Sequence, residues 1–522
     1  MAATPLPRSD PTRLARFLAE ANGADRVEIT ALELLPGGAI QENWGLDAVF
    51  AGGRLAGAQR LVLRTDALTG IPSSLGRIEE FAVLQAAFAA GVKVPEPLFA
   101  CADPSVFGKP FFVMRRVAGA ASGREITTDP ALEPALPGIA YRLGEQLARL
   151  QTIRPPRPDL GFLPSPSETS PEAQIAGFRA YLDRHPQPRP VLEWAIRWLE
   201  THVPAPLAPV LCHRDFRTGN YMLDCASGGA EVTGILDWEF AGWGDPDEDI
   251  GWFCCKGWRF ARLDRAAGGI AERAPFYAGY ESAAGRRLDP ERVRFWEIFA
   301  NVRWAVIALQ QSDRYLRGGA RDLSTAIIGR RAGECELELL MLLDPGGGSA
   351  EGPRPSRPHC GQDAGAPDGM GELPSGLELL ELGRLLLLDE LLPLLPPERH
   401  RELRLVATAI AITRREAIAG DGPTQDIVRT LRQFYGEPGG MIAAAAPHPA
   451  SGERESEAEP RSDEGQCGTV DTLLRHFAAD LRNGAFETSG PRERAARAIL
   501  WRMTIARLRA GNPDFLAANG CA

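Results

Sequence analysis

The chain has 522 residues, 44% hydrophobic and 24% charged, with a formal net charge of −10 and nine cysteines. That length exceeds what one core sustains, about 250–300 residues, so at least two domains are expected. The acidic balance argues against a nucleic-acid binder, which needs basic surface to neutralise phosphates, and the odd cysteine number, without CxxC pairs or metal-type His spacing, points to reduced thiols in a cytoplasmic setting.

The start, MAATPLPRSDPTRLARF, has no continuous apolar segment of the kind a secretory signal needs. A helix is predicted over Pro11 to Asn22. From Val27 to Asp66 short apolar runs alternate with Gly-containing turns, the pattern of an antiparallel meander. Arg77 to Ala90 carries apolar residues at helical spacing and is closed by Gly91. Two strands follow, in VPEPLFACAD and PFFVMRRVAG. From about Pro130 the pattern turns helical, interrupted by LCHRDFRTGNYML and the strand EVTGILDWEF, and resumes through Arg330.

These elements predict an α+β, two-lobed unit over residues 1–344, with a small mixed β lobe (about 1–118) and a larger, mainly helical lobe (about 119–344). Residues 345–373 are rich in Gly and Pro and read as a flexible linker. Residues 374–520 read as an all-α domain, with a disordered insertion at 437–466, where little apolar surface is available to bury. The leucine-rich stretch Leu377 to Leu395 is broken by Glu378, Glu381, Arg384, Asp389 and Glu390, so no membrane span is expected there.

HRDFRTGN, residues 213–220, is the stretch with the most chemistry. Phosphoryl transfer from ATP to a hydroxyl needs a carboxylate to orient that hydroxyl and accept its proton, together with oxygen ligands for Mg²⁺. Asp215 suits the first role and Asn220 supplies an amide oxygen for the second. A fully ionic Mg²⁺ ligand is expected at a strand end, and ILDWEF offers Asp237, seventeen positions after Asn220.

HxDxxxxN, then a short strand ending in D-W-E, then GDPDEDIGW, resembles the aminoglycoside phosphotransferase-like family, relatives of the choline kinases and protein kinases. The resemblance implies a protein-kinase-like fold and an ATP- and Mg²⁺-dependent small-molecule kinase. It makes Asp215 the catalytic base, Asn220 and Asp237 the Mg²⁺ ligands, Asp249 a buttress of the catalytic loop and His213 structural. Arg217 is placed in the loop to neutralise charge on the transferring group. PGGAIQENW resembles the turn that covers the nucleotide, with Gly37 and Gly38 beneath the phosphates. RLVLRTD resembles the third strand, making Arg64 the phosphate-pairing cation and Glu80, rather than its neighbour Glu79, its helix partner. FFVMRRVAG resembles the hinge over the adenine, near Met114 to Val117.

Lys93, Lys109 and Lys256 are the only lysines, so Arg64 stands where the wider kinase pattern has Lys. Arg presents a planar fork where Lys presents a point charge. A branch resembling the kinase-like domain of acyl-CoA dehydrogenase fusion proteins also has Arg there, which tilts the expected acceptor towards a hydroxyacyl-CoA or related metabolite and away from an aminoglycoside or macrolide. The rival expectation is a catalytically weak, nucleotide-binding regulatory or scaffold protein. In either case the helical domain offers a surface for self-association or for a protein partner. Trp238 and Trp243 read as core residues, Cys254 and Cys255 as buried and inert. Arg414, Arg415 and Glu416 read as a surface ion-pair face, with a basic partner site as the alternative.

Overall fold

The computed structural model describes residues 11–35, 41–67, 74–224, 230–318, 323–347, 376–436, 464–487 and 490–521. The expected nucleotide-covering glycines Gly37 and Gly38, nearly all of the linker, and residues 437–463 of the expected insertion lie outside them. The chain divides into two compact units, residues 1–174 with 202–300 and residues 175–201 with 301–522.

In the first unit, α1 (Pro11–Asn22) precedes an antiparallel meander of β1 (Arg26–Leu34), β2 (Gln41–Ala51) and β3 (Gly57–Asp66). After α2 (Arg77–Ala89) come β4 (Pro97–Cys101), a single turn α3 (Pro104–Phe107) and β5 (Phe111–Arg115), completing a five-stranded sheet of order β1-β2-β3-β5-β4. Side chains alternate across a strand. Leu61 and Leu63 of β3 therefore enter the core formed with Leu14, Leu18, Trp44, Phe111 and Val113. Arg64 points to the opposite face of the sheet, between Asn43 of β2 and Phe112 of β5 in register.

The chain then crosses to the larger lobe through Gly119, whose φ of +116° is disfavoured for any side chain, and a Cβ there would lie 2.2 Å from the Leu223 carbonyl oxygen. Next come α4 (Gly123–Thr128) and α5 (Leu136–Leu150), and after residue 202 the short strands β6 (Val210–Cys212), β7 (Tyr221–Asp224), β8 (Glu231–Ile235) and β9 (Gly242–Gly244), paired as β6-β9 and β7-β8. The helix α8 (Glu248–Cys254) follows β9, and α9 (Arg273–Ala284) packs against α5. A Cβ on Gly279 would sit 1.9 Å from the Tyr141 carbonyl oxygen, so the two helices cross at backbone contact. Leu136, Ile139, Leu143 and Leu147 then interleave with Phe276 and Tyr280 in the main core. Trp238 and Trp243 are 2% and 4% exposed, as core residues should be.

The second unit is helical. It holds α6 (Pro171–Arg184, from Ile175), α7 (Pro190–Thr201), the C-terminal part of α10 (Pro290–Leu316), α11 (Leu323–Gly329), α12 (Ala332–Leu343), α13 (Gly376–Leu385), α14 (His400–Ala419), α15 (Gly422–Tyr435), α16 (Glu464–Arg482), α17 (Pro491–Gly511) and α18 (Pro513–Ala518). The stretch after α13 continues as a π-helical turn, Leu386–Leu391. Buried charge is paired across helices: Glu193 of α7 accepts from both Arg482 Nε and Nη2 of α16 at 2.9 Å. Glu336 of α12 is wholly buried, with Arg189 Nε and Arg507 Nη1 each 3.0 Å from its oxygens. Phe434, Phe477 and Phe486 form an aromatic cluster with centroids 5.3 to 6.0 Å apart. Among the described residues no helix is long and apolar enough to cross a membrane.

Candidate active site

The loop between β6 and β7, residues 213–220, is pinned at its start by Asp249 in the first turn of α8. Its two carboxylate oxygens accept from the main-chain N–H of His213 and of Arg214, each at 2.7 Å. Those two contacts accompany a left-handed Arg214, φ +62°, a conformation costly for a side chain with a Cβ and held only by its surroundings. His213 is fully buried. Its Nε2 lies 2.8 Å from the Leu236 carbonyl, and its Nδ1 accepts from the Asp215 N–H at 3.2 Å. One nitrogen donating and one accepting describes a neutral ring, and burial lowers its pKa in the same sense, against the pull of Asp215. His213 thus ties the loop to the chain just after β8.

Asp215 is surrounded by donors: Arg217 Nε at 3.0 and 3.2 Å, Trp252 Nε1 at 3.1 Å and Asn220 Nδ2 at 2.6 Å. Asn220 also donates from Nδ2 to the Asp215 main-chain oxygen at 3.0 Å. The Arg217 guanidinium lies over the Trp258 ring, 4.8 Å from its centroid.

Asp237 follows β8 and is the second motif residue in left-handed backbone, φ +63°. Its side chain is 36% exposed and its Oδ1 lies 2.9 Å from Arg64 Nη1. Arg64 is buried, with Nε 3.1 Å from Glu80 Oε1 and Nη1 3.3 Å from Asn43 Oδ1. Burial opposes its charge, but Glu80 first, then Asp237 and Glu239, keep the guanidinium above its ordinary pKa. Glu80 is buried and meets Arg64; Glu79 is not part of this cluster.

Sequence reasoning missed two members of this cluster. Arg77, 1% exposed, contacts Glu80 closely and Asp66 at 2.9 Å. Glu239 accepts from Gln41 Nε2 at 2.6 Å and Ser74 Oγ at 2.8 Å, and burial raises its pKa. The available signals were Arg77 three residues before Glu80 on one helix face and Glu239 two after Asp237 in D-W-E. Met114 pairs with Val62 and Pro97 across the sheet. Val117 faces Gly234 of β8, where a Cβ would lie 3.3 Å from Val117 Cγ2.

The residues fit Mg·ATP on two observations. Arg64 Nη2 is a buried donor with no hydrogen-bond partner among the described residues, a position that favours an anionic oxygen. Asp237 and Asn220 present one carboxylate and one amide oxygen, the sparse donor set Mg²⁺ takes when phosphates complete its shell.

Residues 34–296, just over half of the chain, match the phosphotransferase enzyme family (APH), and the chain belongs to that family. Within it, the chain is 30% identical over 205 residues to acyl-CoA dehydrogenase family member 10 of Mus musculus, covering 38% of this chain and 18% of that protein. It is 30% identical over 198 residues to family member 11 of Gallus gallus, covering 37% and 25%. The chain thus matches about a fifth to a quarter of the length of these relatives. A solved structure from Ralstonia eutropha JMP134, named a putative aminoglycoside phosphotransferase, aligns over 64% of this chain and 99% of its own with a TM-score of 0.52 and 23% identity. That likeness establishes the kinase-like fold.

Proposed function

We propose that the protein transfers the γ-phosphate of Mg·ATP to a hydroxyl of a small molecule. The observation that carries this is the Asp215 carboxylate, oriented by Asn220, Arg217 and Trp252 on a loop pinned by Asp249. In this reading Asp215 orients the acceptor hydroxyl and takes its proton as the phosphoryl group moves, and Arg217 offsets the charge that develops nearby. Asn220 and Asp237 would hold Mg²⁺, which when bound would offset the negative charge of the phosphates. Arg64, kept in place by Glu80 and Arg77, directs its free Nη2 at a phosphate oxygen. Met114 and Val117 border the adenine. Gly37 and Gly38 keep their assignment beneath the phosphates on motif position alone.

The proposed acceptor is a hydroxyacyl-CoA or related metabolite. The support is the resemblance to acyl-CoA dehydrogenase family members 10 and 11 together with Arg64 at the strand position. The test is transfer of labelled γ-phosphate from Mg·ATP into a panel of hydroxyacyl-CoAs and aminoglycosides. A labelled hydroxyacyl product absent with Asp215→Ala supports both parts of the reading. A labelled aminoglycoside alone refutes the acceptor, and no product with any acceptor refutes the kinase.

One observation favours the second reading, a nucleotide-binding regulator or scaffold. Arg64 is ion-paired with Asp237 itself, so the carboxylate assigned to Mg²⁺ already has a cation. That reading predicts saturable ATP binding without turnover, and a partner held by the helical unit.

A further inference from the structure

A cavity of about 1270 Å³ opens within the helical unit, bordered by the α6–α7 connection and by α10, α12, α13, α14, α17 and α18. Eight arginines line it against five carboxylates, with Glu336 behind Arg189 and Arg507; Arg330, Arg331, Arg384 and Arg414 pair with Glu416, Glu334 and Glu381, which leaves a small excess of cation inside a chain whose net charge is −10. Such a surplus costs stability in the empty protein through like-charge repulsion.

The donors there are only partly satisfied. Arg404 of α14 has no hydrogen-bond or ion-pair partner for its guanidinium among the described residues. Arg189 and Arg507 share the single buried carboxylate of Glu336. Arg415 directs Nε to the Ala510 carbonyl at 2.7 Å and Nη2 to that of Gly511. His185, 8% exposed, places Nδ1 3.4 Å from the Tyr181 hydroxyl and 3.9 Å from Asp313, while its buried Nε2 has no hydrogen-bond partner among the described residues. The wall also carries apolar side chains, Leu309, Leu388, Ile412 and Leu508.

We propose that this cavity binds a small molecule bearing a diphosphate group, its phosphates among the arginines and its remainder against the apolar side chains. Guanidinium forks match phosphate oxygens in pairs. The volume exceeds that of common small-ligand pockets, about 300–1,000 Å³, leaving space for a sizeable organic part. The proposal rests on residues of the helical unit alone and stands or falls independently of phosphoryl transfer.

The test is calorimetric titration of the full chain with inorganic pyrophosphate, without divalent metal, for wild type, Arg404→Gln and Arg404→Glu. Arg404 is exposed and has no hydrogen-bond or ion-pair partner to lose among the described residues, so both variants should melt with the wild type. Saturable binding that weakens about tenfold in Arg404→Gln and further in Arg404→Glu is the expected result, in line with loss of one charge-assisted hydrogen bond. Equal affinity in all three proteins places the anion elsewhere and overturns the proposal, as does an absence of saturable binding to wild type.

Discussion

Arg64 Nη1 lies 2.9 Å from Asp237 Oδ1, joining the cation assigned to the phosphates to the carboxylate assigned to the metal. The same guanidinium holds Glu80, so one side chain couples sheet, helix and strand end. Removing it leaves Glu80 to Arg77 and frees Asp237. Arg64→Ala is expected to raise the KM for Mg·ATP about tenfold or more, the worth of a charge-assisted contact. Arg64→Lys, with one point charge for two acceptors, should fall between. Steady-state kinetics over ATP concentration check both; one KM for all three proteins contradicts the phosphate role.

Asp215→Asn keeps the shape of the side chain but cannot take a proton. The expected result is a kcat lower by about 10²–10⁴ with nucleotide affinity unchanged. A fluorescent-nucleotide titration beside the turnover assay separates the two quantities. Retained kcat excludes Asp215 as the base.

Asp249→Ala leaves the His213 and Arg214 N–H groups without their acceptor. Each orphaned buried donor costs about 1–3 kcal/mol, and the left-handed Arg214 loses a contact that holds it. Denaturant unfolding should register the loss, and Asp249→Asn should recover part of it. Unfolding curves that superimpose on wild type refute the buttress.

Burial lowers the His213 pKa from its ordinary 6.5. Between the folded and unfolded values the unfolded chain binds more protons, so stability is full above about pH 6.5 and declines as pH falls through the lower folded value. His213→Asn should flatten the decline in Tm between pH 7 and 5. His185, lowered in the same direction by burial, keeps some of the slope in the variant. An unchanged slope argues that His213 does not stay neutral in the fold.

The loop of residues 213–220 was legible because its members are close in sequence: Asp215 and Asn220 meet at 2.6 Å across five positions. The meander was legible through alternation, which also put Arg64 on the face away from Leu61 and Leu63. What escaped were contacts that no local period encodes. Gln41 meets Glu239 across 198 positions, and Trp252 reaches the Asp215 loop from α8. Periodicity predicted α6 and α7 as helices but carries no information about their neighbours. Both read as part of the second lobe, whereas α7 packs on α16 in the helical unit.

The burial of Glu336 limits where this gene can be cut. Its carboxylate, on the N-terminal side of the Gly- and Pro-rich stretch, draws one counter-ion from Arg189 and the other from Arg507 on the far side. Glu193 stands likewise with Arg482. A shortened gene stopped at the stretch would strip both carboxylates of a guanidinium and uncover the apolar faces of α7 and α12. Any excised kinase needs replacement residues at those two helices, whatever the catalytic lobe itself requires.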